Sequence, residues 1–322
     1  MNKSLTPNAL LISLILLLTG LNLSAADINN SLAAYLRMGV GARVIAMGEA
    51  GSTVSQDVVA GFWNPAGLAS LKDLEVATMY KIGMGFDRSH NYAAIGKNFR
   101  FGALAFSWMN ASVGDIDGYD ANGNPTGSFS TDEHCLALSY ALDFNRLSLG
   151  LTPKFYYSSY ATAEDNESGY GVDLGVRYDI NQYLEAGAMV RDAYGVLGGD
   201  RIPYEITAGL AVYPLAGITL AADAKLEQDE DPLFCFGAEY WTSIGRDPEA
   251  GSQLSDAPVT EENSWSDILS DVQTGLRLGY NDGQLSAGTG IKFRNFQLDY
   301  TFRLNNHEIF NDDHILSLIL RF

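Results

Sequence analysis

Four histidines, two cysteines and a set of alternating charges are the residues of this 322-residue chain that could do chemistry. His90, His307 and His314 fall in or beside segments that read as loops, where a histidine is ordinarily solvated. His134 and Ser139 share one strand, but their separation is not hydrogen-bond spacing for a base and its nucleophile. The stretch DIDGYDANGNPTG invites a calcium reading: with Asp120 in position 1, Asn122 and Asn124 fall correctly. Pro125 then occupies the required glycine and no glutamate closes the loop, so a solvated turn is the better reading. The acidic run EQDEDP (Glu227 to Pro232) reads as solvated, with shared divalent cations on lipopolysaccharide phosphates as its alternative. Cys135 and Cys235 lie on strands far apart, and a disulfide needs Cα atoms within about 7 Å, so free thiols are expected. Neither catalytic residues, nor a cofactor, nor a metal site emerges from these patterns.

The charges on alternating segments carry more. Lys154, Asp173, Arg177, Glu185, Arg191, Glu205, Asp223, Lys225, Glu239, Arg277, Lys292, Arg294, Asp299 and Arg303 all take the polar face of an apolar/polar alternation. Strand side chains alternate with period 2. In FQLDYTFRL, Phe296, Leu298, Tyr300, Phe302 and Leu304 oppose Gln297, Asp299, Thr301 and Arg303. In GYGVDLGVRY, Tyr170, Val172, Leu174, Val176 and Tyr178 oppose Gly171, Asp173, Gly175 and Arg177. One face is apolar and ends in aromatics; the other holds glycine and charges of both signs. Lipid outside and a polar or filled lumen inside explains both faces, and closure leaves no unpaired backbone edge in hydrocarbon. The fold class is all-β: a transmembrane antiparallel β-barrel of about fourteen strands.

The expected strands lie near 74–81, 90–97, 101–110, 134–143, 147–157, 169–179, 184–192, 204–213, 217–226, 232–241, 271–280, 284–293, 296–304 and 314–322. Pro153 removes a ladder donor, so a bulge is expected there. With both termini in the periplasm, the even-numbered connections (KNFRF, DFNR, DINQY, PLAG, RNF) come out short. Odd ones such as DGYDANGNPTGSFS and NNHEIFNDD come out longer, the usual asymmetry of outer-membrane barrels. The exception is 242–270, an acidic periplasmic connection read as an inert insertion, with a docking element for a periplasmic partner as the alternative. The chain ends HILSLILRF, with Leu316, Leu318, Leu320 and Phe322 on one face. Until the barrel closes, that last strand offers an unpaired edge that another sheet can template. Leu318, Leu320 and Phe322 resemble the sorting signal read by barrel-assembly machinery.

The amino-terminus carries Lys3, an apolar run and Ser24-Ala25-Ala26, which reads as a secretory signal over residues 1–26. The apolar run is too short for a spanning helix of roughly 20 residues. The formal charge of −19 and the lack of a basic patch argue against nucleic acid.

Residues 27–73 do not alternate. Small residues crowd them, and Asn64-Pro65-Ala66-Gly67 is a turn signal in which Pro fixes one φ and Gly frees another. A compact, partly helical segment inside the barrel is the physical reading, because a barrel of this width leaks unless filled. Barrel and segment together, over 74–322 and 27–73, make one domain. ARVIAMGEA (Ala42 to Ala50), Asp57 and WNPAGLA (Trp63 to Ala69) resemble the hatch of the PorV/PorQ outer-membrane proteins, within the wider FadL-like group. GNPTGSFS, FGAEYW, LRLGY and LSAGTGIKFRNFQLDYTF extend that resemblance over almost the whole mature chain.

The resemblance implies a hatch built on Arg43, Met47, Gly48, Asp57, Asn64, Pro65 and Gly67. Arg43 and Asp57 are its candidates to pair with the wall. Lys154, Asp173, Arg177, Glu239, Arg277, Lys292, Asp299 and Arg303 are the wall residues expected to hold it; a polar permeation path is the alternative. It also implies two jobs. The first is a type IX secretion or surface-attachment component in the bacterial outer membrane, partnering secretion-system proteins or exported cargo. The second is a transporter of long-chain fatty acids or other hydrophobic molecules. Outer-membrane lipid and lipopolysaccharide are partners in either case.

Overall fold

The computed structural model describes residues 33–82, 84–160, 166–244, 271–305 and 311–322. The signal at 1–26, His307 and most of the 242–270 connection lie outside them. Fourteen strands close into one antiparallel barrel: β1 (Glu75–Ile82), β2 (Arg88–Phe99), β3 (Gly102–Tyr119), β4 (Pro125–Phe144), β5 (Leu147–Ser159), β6 (Glu167–Asn181), β7 (Leu184–Leu197), β8 (Glu205–Val212), β9 (Ile218–Glu227), β10 (Leu233–Ser243), β11 (Val272–Asn281), β12 (Gln284–Phe293), β13 (Phe296–Arg303) and β14 (Asp313–Arg321). A two-residue strand, Asp200–Arg201, folds back on the end of β7. Closure runs between β1 and β14, from Glu75 opposite Arg321 to Ile82 opposite His314. Leu74 and Phe322 then exchange backbone hydrogen bonds of 3.2 and 2.8 Å. The chain end and the entry to β1 therefore meet at the short-turn end. No helix among the described residues is long and apolar enough to cross a membrane.

The alternation resolves as the sequence implies. Leu138, Leu149, Leu151, Leu174, Leu210, Leu276 and Leu278 stand exposed around the outer middle of the wall. Exposed Phe99, Phe101, Phe144, Tyr183, Tyr240 and Phe322 mark the short-turn end, and Tyr80, Tyr157, Tyr170, Tyr194 and Tyr204 the other. An apolar band between two aromatic girdles is the outer surface a bilayer requires.

Three details differ from the strand reading. Pro153 makes no bulge: the β4–β5 register is the same on both sides of it, Ala137 opposite Lys154 and Tyr140 opposite Leu151. Facing outward on the pleat, it costs one ladder bond without displacing the strand. Register shifts lie elsewhere: between β6 and β7, where Val172 opposes Tyr194 and Leu174 opposes Val190, and between β3 and β4, where Val113 opposes Thr131 and Ile116 opposes Phe129. The stretch read as the loop DGYDANGNPTGSFS is mostly ladder, since β3 and β4 run on past their neighbours to Tyr119 opposite Pro125. At its tip Asp120 Oδ1 accepts the Asn122 and Asn124 backbone N–H groups at 2.8 Å each, and Oδ2 accepts Asn124 Nδ2 at 2.9 Å. The Asn124 side chain, with those N–H groups, holds this exposed carboxyl below its ordinary value. The three residues of the calcium reading thus bond one another.

Residues 33–71 pack inside the barrel, and exposed Lys72 and Asp73 lead to Leu74 at its rim. The packed residues form a 3-10 turn (Ala34–Arg37), α1 (Ala42–Ala46), α2 (Ala60–Trp63) and a second 3-10 turn (Pro65–Ser70). Glycines and Asn-Pro keep each piece short, and the wall supplies the hydrogen bonds that longer helices would supply themselves. Asn64 caps the last turn, its side chain accepting the Ala66 N–H at 3.1 Å, with Pro65 in the first helical position.

Candidate functional site: the seam between the inner segment and the wall

The inner segment meets β5–β14 through ion pairs and close backbone contact. Arg43 on α1 forks onto Glu239, at 2.8 Å from Nε and 2.6 Å from Nη2. Glu239 also accepts Arg277 Nε at 2.7 Å, and Arg277 reaches Asp299 at 2.9 Å. The chain continues through Gln297 to Arg321 and Glu75, whose Oε2 takes the Val58 N–H at 2.9 Å. It starts and finishes on the inner segment.

Glu49 is held by Lys225 (3.0 Å) and Arg303 (2.8 Å). Arg303 and Lys81 share Asp313 at 2.6 and 2.8 Å. Burial pushes the Glu49 carboxyl up, but Lys225 and Arg303 more than reverse this and hold it below the ordinary glutamate value. Asp223 accepts both the backbone N–H and the hydroxyl of Ser52 at 2.8 Å. Arg37 reaches Asp192 at 3.1 Å and Glu227 at 3.2 Å, and Lys154 takes Asp173 at 2.6 Å and Asp192 at 2.5 Å. Mutual pairing is what lets so many charges be buried.

Backbone approach supplies the rest of the fit. Asn64 Nδ2 donates to Ser52 O (2.7 Å) and Val176 O (3.0 Å), and any Cβ at the facing wall residue Gly175 would collide with it. Gly48 has φ +62° and lies against the backbones of Phe236 and Tyr280, a place and a conformation that suit only glycine.

From β14 through β1 to β4 the contact is different. Apolar inward positions there include Ile315, Ile319, Ala77, Met79, Tyr92, Ala94, Ala105, Met109, Cys135 and Ala141, in one cluster with Leu36, Val40, Val44, Val59, Ala60 and Trp63, beside buried Glu75, Lys81, His90, Ser107, Ser139 and Ser317. Two small cavities lie along this seam. One, of about 10 Å³, is bounded by Ala42 to Val44, Val59, Met79, Tyr92 and Ile319. The other, of about 20 Å³, is bounded by Leu36, Phe62, Tyr92, Met109, Cys135 and Lys154. Each has room for about one water molecule.

The residues singled out from sequence fall as follows. Arg43, Met47, Gly48, Asn64, Pro65 and Gly67 are all within the inner segment against the wall, and Met47 packs with Ala211, Ala221 and Cys235. Asp57 does not pair with the wall; its Oδ1 accepts the Val59 N–H at 3.0 Å, because the turn at 57–59 folds the carboxylate onto its own backbone. Lys154, Asp173, Arg177, Glu239, Arg277 and Asp299 are buried inward, as is half-buried Arg303. Lys292 lies over the Trp241 ring, 3.9 Å from its centre.

Arg294 departs from the expectation: it sits in the β12–β13 turn with φ +50°, exposed, 3.4 Å from Asp271. His90 departs as well. It is fully buried and its Nε2 bonds Gly39 O at 2.9 Å, since β2 begins at Arg88 and carries it inside the barrel. Both cysteines are buried and free. On β14, Leu318, Leu320 and Phe322 point outward, with Ile315 and Ile319 inward. Asp192, Glu49 and Arg37 were not singled out from sequence.

A closed fourteen-stranded barrel filled by its own amino-terminal segment is the class of protein that this fold and interior define. Solved structures resemble the barrel in fold. The Ralstonia pickettii toluene transporter TbuX matches over 88% of this chain and 98% of its own, with 13% identity and a TM-score of 0.59. The Pseudomonas putida toluene transporter TodX matches over 87% and 96%, at 13% identity and a TM-score of 0.57. The monoaromatic hydrocarbon channel CymD matches over 88% and 98%, at 12% identity and 0.56. At these identities the likeness is one of fold. No family model and no curated protein matches the chain.

Proposed function

We propose that this protein is an outer-membrane barrel that admits small hydrophobic molecules, with residues 33–74 as the hatch that blocks the lumen against polar solutes. The observation that carries this reading is the asymmetric seam: paired charges anchor the hatch to β7–β13, while a mostly apolar, imperfectly filled seam faces β14–β4, crossed by single hydrogen bonds from Glu75 and His90. A path for polar solutes needs water-lined walls; an apolar seam beside a bound segment suits a solute that gains by leaving water. The similarity of fold to toluene transporters and a monoaromatic hydrocarbon channel supports the same direction.

In this reading the short-turn end, where Phe322 pairs with Leu74, faces the periplasm, and outward Leu318, Leu320 and Phe322 serve assembly by the barrel-assembly machinery. The side chains do no covalent chemistry; they bind, exclude water and yield.

The test is initial-rate uptake of labelled toluene, palmitate and glucose by cells that carry the barrel, against cells that do not. Faster entry of a hydrophobic solute with unchanged glucose entry is expected. No gain for either hydrophobic solute, with a stoichiometric exported polypeptide co-purifying in mild detergent, would replace this reading by a PorV/PorQ-type secretion adaptor.

A further inference from the structure

On β2–β4 the aromatic girdle of the long-loop end is interrupted. Strand register carries one row around the outside of the wall at that level: Tyr80 opposes Asn91, Asn91 opposes Asn110, Asn110 opposes His134, and His134 opposes Tyr157. Tyr80 and Tyr157 are exposed girdle residues, and the three positions between them are polar. All three face outward, because their sequence neighbours Tyr92, Met109 and Cys135 point into the lumen.

An asparagine or histidine on the lipid side of a barrel loses water on assembly, so it needs polar partners. The patch meets part of that need itself. Asn91 Nδ2 donates to Asn110 Oδ1 at 3.2 Å, and Asn110 Nδ2 and Trp108 Nε1 each lie 3.3 Å from His134 Nδ1. An indole N–H only donates, so Nδ1 is the acceptor and the neutral ring carries its proton on Nε2. That N–H, like the Asn91 Oδ1 acceptor, has no hydrogen-bond partner among the described residues, and neither atom is buried. Asp132, one row further out opposite Ser112, has no ion pair among them either.

The charges choose the partner. A phosphate placed here would meet Asp132 and no free cation, since Arg88 at the start of β2 donates to the carbonyls of Met84 and Gly85. A neutral hydroxyl both donates and accepts, which suits Asn91 Oδ1 and His134 Nε2–H together. The rings of Trp108, His134 and Tyr157 lie nearly parallel, with centroids 6.1 and 6.4 Å apart. Their electron-rich faces attract the C–H groups of a sugar ring.

We propose that the outward patch of Asn91, Asn110 and His134 seats the sugar head group of an outer-leaflet glycolipid, held by neutral hydrogen bonds beside the girdle. This rests on the membrane orientation given above, and not on what the lumen admits.

The test is native mass spectrometry of the protein in lauryldimethylamine oxide, a detergent without a sugar, after incubation with equimolar digalactosyl diacylglycerol and phosphatidylglycerol. The first lipid carries sugar and no phosphate, the second phosphate and no sugar. The native protein is expected to retain the glycolipid roughly tenfold over the phospholipid, the scale of one or two net hydrogen bonds. His134→Leu and Asn91→Leu are expected to bring that ratio close to one, and Tyr194→Leu, in the same girdle on β7, to leave it at the native value. Heat-modifiable migration on gels checks assembly. If neither patch variant assembles, addition of dodecyl maltoside to the loaded native protein carries the test: displacement of the glycolipid supports the sugar site, and its persistence overturns it. Equal retention of the two lipids by the native protein overturns the proposal, and a preference for phosphatidylglycerol replaces the sugar by a phosphate. A ratio unmoved by both patch substitutions, or lowered equally by Tyr194→Leu, places the glycolipid elsewhere and overturns it too. A polypeptide that co-purifies with the native protein and is lost from both patch variants makes the patch a protein interface instead. None of these outcomes alters the uptake rates that test the transport reading.

Discussion

The inner segment is gripped unequally by the two halves of the barrel. Toward β5–β14 its contacts are Arg43 on Glu239, Glu49 on Lys225 and Arg303, and Ser52 on Asp223. Toward β14–β4 they are mostly methionine, alanine, isoleucine and one tyrosine, with single hydrogen bonds such as Val58 N–H to Glu75 and His90 to Gly39 O and no ion pair to the segment's own side chains among the described residues. Ion pairs in a low-dielectric interior have one good geometry and resist displacement, whereas apolar contacts trade partners with small loss. In the proposed reading the same segment is fastened on one side and free to yield on the other.

The strongest way to break this comparison is Glu239→Ala. It leaves Arg43 and Arg277 buried without their shared carboxylate, and removal of one partner of a buried pair costs about 3–5 kcal/mol. The urea midpoint of the folded, heat-modifiable form in liposomes is expected to fall accordingly, and ion conductance to rise as α1 loosens. Gly279→Val comes next. An added Cβ there would land on the Gly48 backbone, so the inner segment must shift at a cost of about 1–3 kcal/mol; more frequent channel openings in planar bilayers would report it. Asn64→Ala leaves the carbonyls of Ser52 and Val176 without their donor, at about 1–3 kcal/mol. Its signature is faster amide exchange confined to residues 52–70.

A smaller, pH-dependent effect sharpens the picture. Because the Glu49 carboxyl is held below the ordinary glutamate value of 4.5, its contribution to stability is full above that value. It is lost as pH falls through the lower folded value. Open probability should therefore rise on acidification below pH 4.5, and Glu49→Gln should flatten that rise. The smallest effect belongs to the sliding side. Met109→Leu conserves volume and should cost less than about 1.5 kcal/mol, with the urea midpoint nearly unmoved.

Much of this architecture can be read from alternation alone. A strand such as FQLDYTFRL states its own lipid face, and Asp299 and Arg303 follow inward by parity. What parity misses is where a strand starts, stops or bulges. From sequence His90 reads as a loop residue because β2 opens with the polar run Arg88–Asn91, yet its buried partner, Gly39 O, lies on the inner segment. Arg294 follows the parity of β12 in sequence but belongs to a two-residue turn. Asp192 was hidden by the β6–β7 bulge, which turns it inward with φ +51° and places it on Lys154 and Arg37.

The apolar half of the seam was illegible for a different reason. A polar-inside rule cannot anticipate Met79, Tyr92 and Met109, because they face protein inside the lumen rather than water. Only the packed position of the inner segment makes an inward methionine sensible. The glycines of the wall were visible as a composition; their meaning, room for Asn64 and Gly48, appears only once the segment is in place.

Occupancy of the seam by a small hydrophobic molecule is decided by a crystal of the protein soaked with bromobenzene and read by the anomalous signal of bromine. A bromine peak is expected between the inner segment and β1–β4, beside Tyr92 and Met109. Bromine found only on the lipid-facing surface, or within the paired charges around Glu239, would contradict it.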